Sequence, residues 1–162
     1  MTNAEIVVEP GTQNITISRD FDATPQQLFR AHTDPELLMQ WLGPRGYTMM
    51  IDVFEARDGG RWVFSHIDPA GDKFDFRGVF HGEPTVDGIT QTWEFLGFPG
   101  VVSIETCAFE DLGNGRTRIH NVATYPSVEA RDGMAASGME KGVNEGYERL
   151  DAILSSPGLV AS

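Results

Sequence analysis

The sequence predicts an α+β fold, a curved antiparallel sheet wrapped around a long C-terminal helix in the order β-α-α-β6-α. Three observations predict it. Six β-rich stretches follow one another between residues 47 and 125 with only short turns between them, the signature of antiparallel hairpins. The last segment carries Met139, Val143, Tyr147, Leu150 and Leu154 at spacings of three and four, which is one apolar helical face. The stretch FDFRGVFHG, residues 74–82, sets Phe74, Phe76 and Phe80 in line with Gly78, an aromatic sheet face with a step in it.

Residues 1–14 read as a flexible N-terminal arm with a short strand at 6–8. The β-branched alternation of ITISRDFD makes 15–22 a strand. Thr24-Pro25 is a helix cap followed by a proline at the first helical position, and Leu28, Phe29 and Ala31 supply that helix's inward face. Asp34-Pro35 repeats the cap signal. Leu37, Leu38, Trp41 and Leu42 give a second short helix, ended by Gly43-Pro44. Strands follow at 47–56, 60–67, 73–83, 88–97, 101–111 and 116–125, separated by glycine-rich turns such as Asp58-Gly59-Gly60 and Gly113-Asn114-Gly115. The span 127–156 reads as one helix. Gly133, Gly138, Gly142 and Gly146 interrupt it, each costing about 1 kcal/mol against alanine, so burial of its apolar face must carry it. Residues 15–156 form a single domain and 157–162 a C-terminal tail.

The chain has 162 residues, 40% hydrophobic and 22% charged, which is globular composition with room for a sizeable core. A formal charge of −12 argues against a binder of nucleic acid, which needs clustered Lys and Arg, and against docking on an anionic membrane. No run of apolar residues is long enough for a membrane span. Cys107 is the single cysteine, so no internal disulfide forms, and an inert buried thiol is its expected state. The N-terminal stretch lacks the pattern of a secretory signal, which makes the expected location cytoplasmic.

Hairpin register locates the step. A turn centred near Ala70 sets Phe64 opposite Phe76 and Trp62 opposite Gly78; a turn between Thr85 and Val86 sets Trp93 opposite Gly78 and Phe95 opposite Phe76. Gly78 then lies between two tryptophans, with Phe64, Phe76, Phe80 and Phe95 around them. In one reading the glycine lets the sheet bend and the indoles cover the gap. In the other, the rings wall a ligand cavity. Beyond residue 100 periodicity leaves two choices. Val102, Ile104, Thr106 and Ala108 face inward, or Cys107 and Phe109 do beside Glu105; likewise Ile119, Asn121 and Ala123, or His120 and Val122. An inward Glu105 would be a buried carboxylate needing a partner or a raised pKa, an anchor for a polar ligand group.

No catalytic constellation is recognisable. His32, His66, His81 and His120 are scattered without metal-ligand spacing, so neither a metal site nor a cofactor is expected. The glycine-rich DGGRW at 58–62 opens a strand rather than a helix and so lacks a phosphate-binding helix N-terminus.

The stretches ISRDFDATPQQLFRAHTDPELLMQWLGP (17–44), DGGRWVFSHIDPAGDKFDFRGVF (58–80), TWEF (92–95), FEDLGNGRTRI (109–119) and MEKGVNEGYERLDAIL (139–154) resemble the SRPBCC superfamily. This is the START and birch-pollen-allergen-like helix-grip fold. Within it, the chain resembles the family named after the C-terminal domain of the activator of the heat-shock-protein-90 ATPase. The resemblance implies a hydrophobic cavity between sheet and long helix, and lipid-like or aromatic ligands in many relatives. It carries over no shared catalytic set. In similar chains the positions matching 105 and 121 tend to be apolar, so Glu105 and Asn121 depart from the pattern.

Three functions follow as expectations. The first is a small-molecule binding protein whose ligand, a hydrophobic lipid-like or aromatic compound, contacts Trp62, Phe64, Phe76, Gly78, Phe80, Trp93 and Phe95 on the sheet. Glu105 and Asn121 add polar anchors, Met139, Val143 and Tyr147 face it from the helix, and Trp41 gates the mouth. The second, implied by the resemblance, is a chaperone-ATPase regulator or stress-response factor with a chaperone as partner. The full activator carries an additional N-terminal chaperone-binding domain, which this chain is expected to lack. The third is a cyclase- or hydrolase-like enzyme on an apolar carbonyl substrate, with Glu105 or His66 as acid or base. A homodimer is compatible with the sequence.

Overall fold

The structure, a computed structural model, describes residues 3–156. The expected tail at 157–162 and the first two residues of the expected arm lie outside them. Eight strands form one antiparallel sheet. In chain order they are β1 (Glu5–Val8), β2 (Asn14–Phe21), β3 (Thr48–Phe54), β4 (Arg61–Ile67), β5 (Lys73–Val79), β6 (Ile89–Phe95), β7 (Val102–Gly113) and β8 (Arg116–Thr124). Their spatial order is β1-β2-β8-β7-β6-β5-β4-β3, so the meander from β3 to β8 is closed by the two N-terminal strands. The helices are α1 (Pro25–Thr33), α2 (Pro35–Trp41), α3 (Val128–Ala135) and α4 (Met139–Leu154).

The cap signals act as their chemistry requires. The Thr24 hydroxyl accepts from the Gln27 amide at 3.2 Å, and the Gln27 side chain accepts in return from the Thr24 amide at 2.9 Å. Asp34 ends α1 and caps α2, accepting from the Glu36 amide at 3.0 Å.

Two elements differ from expectation. The N-terminal segment is tied to the sheet: β1 pairs with β2 from Glu5 opposite Ser18 to Val8 opposite Ile15. The Arg131 guanidinium, buried on α3, donates to the carbonyls of Glu9 and Thr12 and holds the turn between the two strands. A pairing across so few residues carries little hydrophobic signal, which is why the segment reads as an arm. The single C-terminal helix is two. Gly138 adopts φ 85°, a left-handed conformation that ends one helical path and starts another, and α4 begins at Met139. The glycines of α4 have a packing reason. A Cβ on Gly146 would lie 2.9 Å from the Trp41 carbonyl oxygen and one on Gly142 3.3 Å from Pro44, so α4 lies directly on the end of α2. Arg149 fixes that crossing by donating from Nη2 to the carbonyls of Trp41, Gly43 and Pro44.

The core runs along the concave face of the sheet and under the helices. Phe21, Leu28, Ala31, Leu37, Trp62, Phe64, Ile119 and Leu150 are all buried. Leu150, which has no exposed surface, is the point at which the apolar stripe of α4 enters it. Arg19 on β2 holds α4 from the side through a bidentate ion pair with Asp151, at 3.0 and 2.7 Å.

Candidate functional site

A cavity of about 320 Å³ remains between the concave sheet face and α4. Trp62 on β4 and Trp93 on β6 form its aromatic wall, their ring centroids 4.7 Å apart. Phe64 stacks on Trp62 at 4.9 Å, and Phe76 on β5 and Phe80 just after it extend the wall. The registers behind this wall are those the turns imply: Trp62 opposite Gly78, Phe64 opposite Phe76, Phe76 opposite Phe95. The β5–β6 ladder breaks after Arg77 and Glu94 and resumes as a bridge between Phe80 and Gln91. In the gap the Val79 amide donates to the Thr92 hydroxyl at 2.9 Å.

Gly78 itself does not line the cavity. A side chain there would collide with the Trp62 indole and the Thr92 carbonyl, so the space it leaves is filled by the protein's own tryptophan. Phe95 does not line it either. It is the last residue of β6, and its ring folds over Gly97 and packs against Phe74 and Phe98, beyond the end of the hollow. Trp41 lines the cavity without gating it: the residue is 3% exposed, and its indole Nε1 donates to the Ala31 carbonyl at 3.0 Å. Met139, Val143 and Tyr147 line it from α4.

The pairing of β7 with β8 decides the orientation that periodicity leaves open. Glu105, Cys107 and Phe109 face inward with Ile119, Asn121 and Ala123, whereas Ile104 is exposed. Glu105 and Asn121 are therefore cavity residues. The Ser103 hydroxyl donates to Glu105 Oε2 over a long 3.4 Å, and burial pushes the carboxyl up to about 7 against that weak support. Asn121 Nδ2 donates to the Tyr147 hydroxyl at 2.7 Å. The Tyr147 ring stacks beside Trp41 at 6.0 Å and meets Phe21 edge-on at 5.2 Å.

The other titratable lining groups are locked in their neutral forms. Burial pushes the Cys107 thiol and the Tyr147 and Tyr125 phenols well up. His32 donates Nδ1–H to the Leu28 carbonyl at 2.7 Å and is pushed down by burial to about 4. His66 does not line the cavity. Its ring packs edge-on against Phe64 and Phe76, and burial and then Arg149 push it down to about 4. Glu105 thus has no companion acid or base at the cavity that titrates near neutrality. Among the described residues no three His, Cys, Asp or Glu side chains come together to hold a metal ion, and no helix is long and apolar enough to cross a membrane.

Sequence reasoning misses the far wall. Ile15 and Ile17 line the cavity because β2 pairs with β8, setting them opposite Ala123 and Asn121. That contact spans the length of the chain, and the only sequence signal for it is the shared parity of the two isoleucines.

The profile of the family described as Activator of Hsp90 ATPase homolog 1-like protein matches residues 22–155. A crystal structure of a protein from Rhodobacter sphaeroides is 30% identical, with a TM-score of 0.85 over 95% of this chain and 99% of that one. A solution structure from Arthrobacter aurescens is 27% identical, with a TM-score of 0.86 over 99% and 96%. A Plasmodium falciparum protein described as an HSP90 activator shares the fold at 19% identity, with a TM-score of 0.63 over 90% of this chain and 98% of that one. None of the curated proteins matches the chain.

Proposed function

The chain belongs to the activator-of-Hsp90-ATPase-homolog-1-like family of the SRPBCC helix-grip fold, and from that premise we propose that it binds a small apolar molecule, lipid-like or aromatic, in the hollow between sheet and α4. The observation that carries this reading is the hollow itself. About 320 Å³ stays open after Trp62, Trp93, Phe64, Phe76 and Phe80 have packed against one another. Protein interiors hold few voids larger than a water, while ligand pockets start at about 300 Å³. An aromatic lining binds apolar surface, and the Glu105–Asn121–Tyr147 group beside it would orient one polar end of a guest. Titration with a panel of fatty acids, alcohols, amines and aromatic hydrocarbons, read by the fluorescence of Trp62 and Trp93, tests it. A saturable response from at least one class supports the reading; a flat response from every class removes it.

A second reading is regulation of a chaperone ATPase. The family description and that of the Plasmodium relative favour it. So does the turn after β6, where Phe98 is 71% exposed beside the exposed Leu96 and Val101. Adding the protein to a heat-shock-protein-90 ATPase assay tests it: an accelerated rate supports regulation, and an unchanged rate together with no pull-down excludes it.

A further inference from the structure

We propose that the guest of this cavity carries a protonated amine and that Glu105 receives it, an inference that rests on the ligand-binding reading above. Glu105 faces inward from β7, and the long contact from Ser103 is its sole hydrogen bond among the described residues. No lysine or arginine lines the cavity. The arginine near this wall, Arg19, is bound to Asp151 through both its terminal nitrogens. A carboxylate half-buried against a largely apolar lining without a cation lacks the pairing that burial demands.

Two acceptors meet at this wall, while the hollow's unpartnered buried donors among the described residues are the indole Nε1–H groups of Trp62 and Trp93. Glu105 stands opposite Ala123, and Asn121 stands opposite Cys107, so the two side chains are diagonal neighbours on one sheet face, about 7–8 Å apart at Cα. Asn121 commits Nδ2 to Tyr147, and its Oδ1 receives no donor among the described residues. An ammonium group between them would donate to Glu105 and Asn121 at once. Trp41, Trp62, Trp93 and Tyr147 line the same hollow. An anionic guest would meet the charge of Glu105 and a chain of formal charge −12.

The pairing has a pH signature. Of the groups that face the hollow, Cys107 on β7, Tyr147 on α4 and Tyr125 after β8 are pushed up and stay protonated, and His32 on α1, pushed to about 4, stays neutral. Glu105, at about 7, is the lining group that changes charge between mildly acidic and mildly basic solution. An amine therefore binds more tightly as pH rises through neutrality.

Calorimetric titration with naphthylethylamine, naphthylethanol and naphthylacetate tests the proposal. The amine should bind about tenfold or more tighter than the alcohol at about pH 8, and lose about tenfold of that advantage by about pH 6, as Glu105 takes up its proton. In Glu105→Gln the amine and the alcohol should bind alike. Titrations of the unaltered protein near pH 7 in buffers of different ionisation heat should show release of about half a proton per amine bound, a readout independent of the variant's folding. Equal binding of amine and alcohol to the unaltered protein, an amine preference that survives Glu105→Gln, or no proton release overturns this inference alone. If none of the three compounds binds, this inference falls, and the ligand-binding reading is decided by the panel above.

Discussion

Trp62 and Gly78 face one another across β4 and β5, and the indole of the first occupies the space that the second, lacking a side chain, leaves open. The same indole, only 1% exposed, is also part of the cavity wall. Gly78 thus seats the indole that forms part of the cavity wall.

Gly78→Ala should therefore strain the wall. The added methyl meets the indole and also the Thr92 carbonyl, and backbone cannot give way as a side chain can. We expect a loss of about 1–3 kcal/mol in urea unfolding, the range for overpacking a filled site. Unchanged stability would mean that the sheet can open at this step.

Arg149 holds the end of α2, and with it Trp41, through carbonyls that the helix itself cannot satisfy. Arg149→Ala should lower stability by about 2–3 kcal/mol, because charge-assisted bonds are lost and carbonyls are left without donors. The Trp41 wall should loosen with it, seen as faster hydrogen exchange across α2. Exchange rates unaltered in α2 would contradict the role.

Tyr147→Phe strands the Asn121 amide. The expected loss is about 1–2 kcal/mol, and Asn121→Leu in the same chain should restore part of it, since replacing both partners removes the unsatisfied group. An additive double variant would show the two side chains to be energetically independent.

Glu105 makes stability depend on pH with a definite sign. Its carboxyl is raised from 4.5 to about 7 in the fold, so the folded state holds the proton more tightly than the unfolded chain does. Its contribution is full below about pH 4.5 and is lost as pH rises towards 7 and beyond. Glu105→Gln should accordingly be more stable than the unaltered protein at about pH 8, by up to about 3 kcal/mol, and about equal to it near pH 4. Urea unfolding at the two pH values reads the difference; a gap that does not change with pH would contradict the buried assignment.

What the sequence makes legible is local. Thr24-Pro25 and Asp34-Pro35 specify their helices through side chains within a few residues, and the short turns near Ala70 and Val86 set registers that place Trp62, Phe64 and Phe76 correctly. Parity also puts Phe80 and Trp93 on the cavity face. It misleads at Phe95, because alternation says which face a residue takes and not where along the strand the hollow stops. It misleads at Gly78 for a different reason: a missing side chain marks free space only if no neighbour reaches into it. The orientation of Glu105 and Asn121 follows from β7 pairing with β8, and the Ile15–Ile17 wall from β2 closing the sheet. Periodicity in mixed polar stretches such as VSIETCAFED cannot supply the first, and the second depends on contacts a hundred residues apart.

The account stands on the hollow accepting a guest. Ala123 faces it from β8, and Ala123→Phe places a ring in that space. Calorimetric titration of the panel of fatty acids, alcohols, amines and aromatic hydrocarbons into the unaltered protein and into Ala123→Phe is the most direct measurement. Saturable one-to-one binding with a negative heat-capacity change, lost or weakened at least about tenfold in the filled variant, is the expected result. Binding that is absent from the unaltered protein, or equal in the two proteins, would contradict it.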